Sequence, residues 1–160
     1  MKKFELTDEF ITNAFGNKLF RIKAIVDFGT IRAGELGGFV EKEENLSNDD
    51  NAWVSGNARV SDDARISDDA RISGNAQVYG NADYAVVEGF GRYFRATTFF
   101  RCKDKILRVQ CGCFYGDLAE FREIVKKTHG DSKYAKEYLA IADLMELHFS
   151  DDEGRQEAAE

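Results

Sequence analysis

The sequence predicts a mainly β protein built around a parallel β-solenoid, and three observations within residues 52–84 predict it. Alanine recurs every six residues, at Ala52, Ala58, Ala64, Ala70, Ala76 and Ala82. The second residue after each alanine is Val54, Val60, Ile66, Ile72, Val78 and Tyr84, and Asn or Asp precedes every alanine. A fixed period is typical of repeat architectures, and a six-residue period does not match the 3.6-residue turn of an α-helix.

Each repeat predicts a short strand followed by a corner. Residues two apart lie on one face of a strand, so the alanine and the aliphatic residue are both expected to point inward. The residue between them is then expected to point outward, at Trp53, Arg59, Arg65, Arg71, Gln77 and Asp83. Gly, Asp and Asn before each alanine tolerate the bent backbone of a corner. Val40 and Leu46 are in phase with Ala52, which extends the predicted solenoid to residues 40–84.

The repeat resembles the hexapeptide-repeat left-handed β-helix family. The resemblance implies three six-residue faces per eighteen-residue coil, left-handed winding and about two and a half coils in this chain.

Stacking of residues eighteen apart predicts specific neighbours. Arg65 is expected over Asp83 as an ion pair, and Trp53 over Arg71 as a cation–π contact. Further acidic stacking (Asp50 over Asp68, Asp63 over Asn81) is interpreted as a solvated turn face.

Residues 1–39 predict an N-terminal β cap. Alternation of apolar and basic residues predicts a strand over Lys18–Val26. Gly16 and Asn17 before it suit a hairpin turn, with Phe4–Leu6 or Phe10–Thr12 as the partner strand. We expect this cap to cover the open end of the solenoid, where strand edges would otherwise be free.

Residues 85–149 predict a C-terminal β-hairpin followed by two helices. Tyr93–Cys102 and Ile106–Cys111 have the composition of two antiparallel strands. Asp117 and Glu120 have the spacing of a capping box, and Gly130 is placed to end that helix.

A second predicted helix starts near Asp131 or Ser132. Its apolar residues are Tyr134, Tyr138, Ile141, Leu144, Met145 and Leu147. The charged residues 150–160 are expected to form a disordered tail.

Motifs along the whole chain resemble a group of small proteins common in bacteriophages and prophages. They are Phe20-Arg-Ile-Lys-Ala, Gly34-Glu-Leu-Gly-Gly-Phe-Val-Glu, the Gly-Asn-Ala repeats and Cys111-Gly-Cys-Phe-Tyr-Gly-Asp. The resemblance implies a phage protein acting inside a bacterial host, and it brings almost no mechanism with it.

Composition and charge exclude several classes of protein. The chain has 22 Lys and Arg against 29 Asp and Glu, a net charge of −7, which argues against binding to duplex DNA. No apolar run approaches the length of a bilayer span, and the N-terminus lacks a signal-peptide pattern. Three cysteines without a disulfide spacing fit a reducing cytoplasm.

Acyl transfer is the first enzymatic alternative, since many proteins that the repeat resembles are acyltransferases with a histidine base. The only histidines here are His129 and His148, and neither lies in the repeat. Capping of helix ends and surface positions explain both residues, so no catalytic residue is predicted.

A metal site is the second alternative. Cys111 and Cys113 share a strand face, and Cys102 faces them across the predicted hairpin, so three thiolates and a histidine would suit zinc. No second CxxC or HxxxH pair supports that set, and buried free cysteines act as small apolar residues. We therefore predict no metal and no cofactor.

A basic cluster is the candidate ligand site. Between residues 92 and 108 six basic residues face one acid, Asp104, and they surround several aromatic residues. The candidate binding residues are Arg92, Tyr93, Arg95, Arg101, Lys103, Lys105 and Arg108. Arginines beside aromatic rings suit a phosphate with a stacking base. The structural alternative is a solvated strand face that balances the acidic solenoid.

These observations favour a non-catalytic binding protein. The leading expectation is a phage-type protein that engages a host or phage macromolecule, as an inhibitor of antiviral defence. The alternatives are a nucleotide-sequestering protein that uses the basic cluster and a hexapeptide-repeat acyltransferase. A homo-oligomer, dimer or trimer, is expected from the resemblance, without membrane or duplex-DNA partners.

Overall fold

The repeats stack in parallel in the computed structural model, which describes residues 2–150. The strands are β1 (Phe4–Thr12), β2 (Lys18–Ala24), β3 (Leu36–Val40), β4 (Trp53–Val54), β5 (Arg59–Val60), β6 (Arg71–Ile72), β7 (Gln77–Val78), β8 (Tyr84–Val87), β9 (Thr97–Arg101), β10 (Leu107–Cys111) and β11 (Phe114–Asp117). The helices are α1 (Leu118–His129) and α2 (Lys133–His148). In the described residues neither helix meets the length and hydropathy needed to span a membrane.

Stacked aliphatic side chains form the core of the solenoid. β3, β5 and β7 pair in parallel, as do β4 and β6, and a bridge joins Leu46 to Ile66. The inward aliphatic residues and five of the six alanines are completely or almost completely buried: Val40, Leu46, Ala52, Val54, Ala58, Val60, Ala64, Ile66, Ala70, Ile72, Ala76 and Val78. The inward pattern predicted from the period is therefore confirmed over residues 52–78.

The regular repeat ends earlier than its sequence period. Ala82 is exposed, in a 3-10 turn over Asn81–Asp83. Tyr84 then begins β8, which pairs antiparallel with β9. The last repeat therefore leaves the solenoid because it joins the C-terminal sheet, and its alanine does not enter the core.

The first coil is two residues longer than the later ones. Val40 lies opposite Val60 and Leu46 opposite Ile66, twenty residues away, whereas Val60 lies opposite Val78, eighteen residues away. The phase predicted for Val40 and Leu46 was wrong, since both occupy the aliphatic position and not the alanine position. The two extra residues lie between Leu46 and Val54.

The N-terminal segment closes this longer turn. Lys3 is only 3% exposed, and its Nζ donates to the carbonyl oxygens of Asp50 at 2.8 Å and Ala52 at 2.7 Å. Its backbone N–H donates to Asn48 Oδ1 at 2.9 Å. The insertion thus creates carbonyl acceptors that a buried ammonium group satisfies.

The N-terminal hairpin uses both partner strands that the sequence offered. Phe4 to Leu6 pair with Ile22 to Ala24, and Phe10 to Thr12 pair with Lys18 to Phe20, with an irregularity between the two stretches. β2 also pairs antiparallel with β3, which gives a mixed sheet in the order β1-β2-β3-β5-β7. The cap therefore continues one face of the solenoid.

The predicted contact between Trp53 and Arg71 takes a different form. Trp53 does lie beside Arg71, but its ring is buried against Phe28 at a centroid distance of 5.4 Å. Arg71 donates to Thr30 Oγ1 at 2.6 Å. The N-terminal cap therefore covers Trp53 and Arg71, and the repeat pattern alone does not predict this contact.

The predicted ion pair between Arg65 and Asp83 does not form in the described part of the chain. Asp83 Oδ1 lies 3.3 Å from Arg101 Nε, because β9 brings that arginine beside it. The predicted stacking of Asp50 on Asp68 is confirmed: Asp50 Oδ2 accepts from the Asp68 N–H at 2.6 Å. The Asp50 carboxylate therefore satisfies a backbone donor of the next coil.

The C-terminal sheet has four antiparallel strands in the order β11-β10-β9-β8, two more than the predicted hairpin. β8 and β11 are four residues each, and the Gly116 in β11 weakens its strand signal. Phe100 packs into the solenoid core, whereas the adjacent Phe99 packs with the helices. The sheet therefore covers the end of the solenoid with one face and carries the helices on the other.

Both helices begin where the sequence predicted. Asp117 Oδ1 accepts from the Glu120 N–H at 2.8 Å, and Glu120 Oε1 accepts from the Asp117 N–H at 3.0 Å. Ser132 caps α2. Leu144 and Leu147 are exposed, contrary to the predicted apolar face, since Ala135 and Ala142 contact the core in their place. The predicted tail lies outside the described residues apart from Ser150.

Candidate ligand-binding cleft

A cleft of about 230 Å³ lies between the C-terminal sheet and the two helices. Its floor is apolar and consists of Phe114, Phe121, Ile124, Val125 and Tyr138. The capping box of α1 fixes the start of that helix directly after β11, which directs Phe121 and Val125 toward the sheet. A concave apolar site with a few polar groups at its edge is typical of small-molecule binding sites.

A loop of residues 88–96, between β8 and β9, lies beside the cleft and is held by α2. The N–H of Gly91 donates to Glu137 Oε1 at 3.1 Å, and Tyr138 Oη donates to the Phe90 carbonyl at 3.5 Å. A β-carbon at position 91 would overlap the Tyr138 hydroxyl, so glycine is required for this approach. The loop is therefore fixed to the helix that forms the cleft.

The same loop contains a strained aromatic residue. Phe94 has φ +56° and its side chain is 70% exposed. A bulky residue in the left-handed region costs about 1–3 kcal/mol, and such residues cluster at functional sites. The strain marks this loop as a candidate functional segment.

Two arginines of the loop flank one tyrosine at the rim of the cleft. The guanidinium carbons of Arg92 and Arg95 lie 5.7 Å and 5.1 Å from the centre of the Tyr93 ring. Among residues 2–150 neither arginine has a carboxylate partner within 4 Å. The rim of the cleft thus presents two positive charges that the surrounding described side chains do not neutralise.

The other basic candidates lie elsewhere, so the structure divides the predicted cluster. Arg101 is held by Asp83 and by the Phe149 carbonyl, at 3.1 Å from Nη2. Lys103 lies beside Gln77 on the outer face of the five-stranded sheet. Lys105 lies in the turn between β9 and β10. Only Arg92, Tyr93 and Arg95 of the candidate set line the cleft.

Arg108 pairs with the single acid of the cluster. Its Nη2 lies 2.9 Å from Asp104 Oδ2. The hydrogen bond from Arg108 lowers the pKa of Asp104. Asp104 therefore neutralises Arg108 and does not reduce the positive charge that Arg92 and Arg95 give the rim of the cleft.

Cys102 is separated from the other two cysteines. Cys102 packs into the solenoid core, and burial raises the pKa of its thiol. Cys111 and Cys113 line the cleft, and Thr97 Oγ1 lies 3.2 Å from Cys111 Sγ. In the described part of the chain no three His, Cys, Asp or Glu residues are grouped so that they would hold a metal ion.

His129 lines the cleft, whereas the sequence predicted only a position at the end of a helix. It is the last residue of α1, and its ring stacks on Tyr138 at a centroid distance of 5.8 Å. The sequence signal that would have placed His129 in the cleft is the helical spacing, because residues 121, 125 and 128–129 lie on one face of α1. His148 contacts Phe149 at the end of α2. Both histidines lie at helix ends and not on a coil of the solenoid.

Tyr138 connects the cleft to the loop above it. Burial, followed by the neighbouring Cys111 thiol, raises the pKa of Tyr138 to about 12. The hydroxyl group therefore keeps its proton at neutral pH and remains a hydrogen-bond donor. The phenol therefore adds no negative charge beside the arginines at the rim of the cleft.

The comparison with known families agrees with the stacked repeats. A family model described as the YdcK β-solenoid repeat matches residues 64–80, which include Ile66, Ile72 and Val78 of the buried rows. Together with the parallel pairing, the match defines the chain as a β-solenoid repeat protein. A search of curated proteins found no match.

Proposed function

We propose that this protein is a non-catalytic binding protein that holds a nucleotide in the cleft between its C-terminal sheet and helices. The arrangement of Arg92 and Arg95 on either side of Tyr93, above an apolar floor, carries the proposal. Guanidinium groups are the preferred partners of phosphate oxygens. Aromatic rings stack on bases of any sequence, which fits the exposed Tyr93 ring and the aromatic floor.

Isothermal titration calorimetry with AMP, UMP, GMP and CMP tests this proposal. Arg92→Ala and Arg95→Ala should each weaken binding of the favoured nucleotide by about tenfold or more, since each removes a charge-assisted hydrogen bond. Arg108→Ala is the matched control, because that arginine belongs to the same sequence segment but pairs with Asp104. Equal affinity in wild type and both rim variants would overturn the proposal, as would the absence of binding by these four monophosphates and by the diphosphates UDP and ADP.

A second proposal is that the 88–96 loop engages a host or phage protein. Its exposed aromatic side chains support this: Phe90 is 40% exposed, Tyr93 66% and Phe94 70%. Large apolar residues exposed together favour an interaction surface. That the partner belongs to an antiviral defence system is proposed from the sequence resemblance alone.

Phe94→Asn tests the loop as a protein-binding surface, because asparagine tolerates a positive φ. A protein captured from host lysate by the wild type should be lost with Phe94→Asn and retained with Phe15→Asn. Phe15 is 79% exposed in the N-terminal hairpin turn and serves as the matched aromatic control. Equal capture by all three proteins would contradict a role for the loop.

The resemblance also leads us to propose left-handed winding, a homo-oligomer of two or three subunits, and residence in the bacterial cytoplasm. Native mass spectrometry of the purified protein tests the oligomer directly. It would also report a retained phosphorylated metabolite, the outcome expected if the nucleotide proposal is right. A monomer would contradict the oligomeric proposal.

A further inference from the structure

A second cavity adjoins the cleft, and Arg95 lines both. The second cavity, of about 430 Å³, lies where the N-terminal cap, the solenoid and the C-terminal sheet meet. Besides Arg95, its walls include Thr30, Asp69, Arg71, Glu88 and Gln110. The 88–96 loop therefore lies between an almost wholly apolar cleft and a cavity of mixed character that also carries polar and charged side chains, with Arg95 lining both.

Hydrogen bonds fix the polar walls of the second cavity. Arg71 donates from its guanidinium to Thr30 Oγ1 at 2.6 Å and from its backbone N–H to Thr98 Oγ1 at 3.0 Å. Gln110 Oε1 accepts from Ser73 Oγ at 3.0 Å, and its Nε2 donates to the Gly112 carbonyl at 2.9 Å. Side chains held in this way need little reordering when a ligand binds.

Two carboxyl groups occupy one side of the same cavity. Desolvation, followed by the neighbouring Asp69, raises the pKa of Glu88. Asp69 comes from a corner of the solenoid and Glu88 from the loop that carries the rim arginines. A carboxylate is a strong acceptor for sugar hydroxyls, as in dinucleotide sites where an acidic residue binds the ribose.

We propose that the ligand is a nucleoside diphosphate that carries a sugar. The base lies in the apolar cleft, the diphosphate lies at Arg95, and the sugar hydroxyls donate to Asp69 and Glu88 in the second cavity. A further phosphate group would be repelled by the carboxyl groups of Asp69 and Glu88. This inference rests on the proposed function and specifies the class of nucleotide.

Calorimetric titrations with UDP-glucose and ADP-ribose, compared with UDP and ADP, test the inference. At least one sugar nucleotide should bind about tenfold tighter than its parent diphosphate, because hydrogen bonds to charged groups contribute on that scale. Asp69→Asn and Glu88→Gln should each reduce or remove this gain, so that the difference in affinity between the sugar nucleotide and its parent diphosphate becomes smaller in each variant. Asp63→Asn is the matched control, since Asp63 holds the same position in the preceding repeat and lies outside this cavity.

The outcomes separate this inference from the function on which it rests. If UDP or ADP binds through Arg92 and Arg95 but the sugar adds no affinity, the inference is overturned and the nucleotide proposal stands. A gain from the sugar that survives both carboxylate substitutions would also overturn it. Absence of binding by every nucleotide would overturn both.

Discussion

The guanidinium group of Arg95 lies against Gly112, the first residue of the turn between β10 and β11. A β-carbon at position 112 would overlap Nη1 of Arg95, and Gly112 has φ +58°. We predict that Gly112→Ala moves the arginine away from its position between the two cavities. Nucleotide affinity, measured by calorimetry, should fall about tenfold, and the free energy of unfolding should fall by about 1 kcal/mol from the left-handed backbone.

Gly16→Ala is the control that separates these two effects. Gly16 has φ +85°, lies in the N-terminal hairpin turn, and has no atom within 4 Å of its would-be β-carbon. This variant should lose a similar amount of stability and bind nucleotide like the wild type. Wild-type affinity in Gly112→Ala would show that the position of Arg95 does not govern binding.

Lys3 is predicted to be the strongest single polar contributor of the N-terminal cap to stability. Lys3→Met keeps the apolar stem but leaves the carbonyl oxygens of Asp50 and Ala52 without their buried donor. The expected loss in the free energy of unfolding is about 2–3 kcal/mol, measured by urea denaturation.

Lys2→Met provides the matched comparison for Lys3. Lys2 pairs with Glu43 at 2.6 Å, but both side chains are largely exposed. Exposed ion pairs contribute less than about 1 kcal/mol, so this variant should be close to wild type. Equal losses in the two lysine variants would contradict the capping role of Lys3.

Asn45 is predicted to hold the first two coils together. It is completely buried; its Nδ2 donates to the Ala64 carbonyl at 2.8 Å, and its Oδ1 accepts from the Lys42 N–H at 2.9 Å. Asn45→Ala leaves both partners unsatisfied and should lower the free energy of unfolding by about 2–3 kcal/mol. Asn57→Ala, at an exposed corner, should cost less than about 1 kcal/mol. Comparable urea midpoints for the two variants would contradict this role.

Local periodicity was sufficient to predict the repeat and the helix starts. The six-residue spacing identified the buried alanines from Ala52 to Ala76, and Asp117 with Glu120 identified the start of α1. Both signals depend on residues close together in the chain, where strand and helix geometry fixes the spacing.

Contacts between distant segments were beyond the reach of the sequence. The period alone cannot show that the cap covers Trp53, or that β9 carries Arg101 to Asp83. For the same reason the basic segment 92–108 looked like one cluster. In the structure, Arg92 and Arg95 lie on a loop beside the cleft, while Arg108 lies on a strand and pairs locally.

Four tyrosines with raised pKa values predict a loss of stability at alkaline pH. Desolvation raises the pKa values of Tyr79, Tyr84 and Tyr115 above 10, and the pKa of Tyr138 to about 12. Between pH 10 and 12 the unfolded chain loses phenolic protons that the folded protein keeps. The unfolded state is therefore favoured as pH rises, and stability that is complete below pH 10 declines through this window.

Tyr138→Phe isolates the contribution of the most strongly shifted tyrosine. The variant has no phenol to ionise at that position, so its free energy of unfolding should fall less between pH 10 and 12 than that of the wild type. Urea titrations at pH 8, 10, 11 and 12 measure this slope. A decline in Tyr138→Phe as steep as that of the wild type would contradict a contribution from Tyr138 and assign the alkaline sensitivity to Tyr79, Tyr84 and Tyr115.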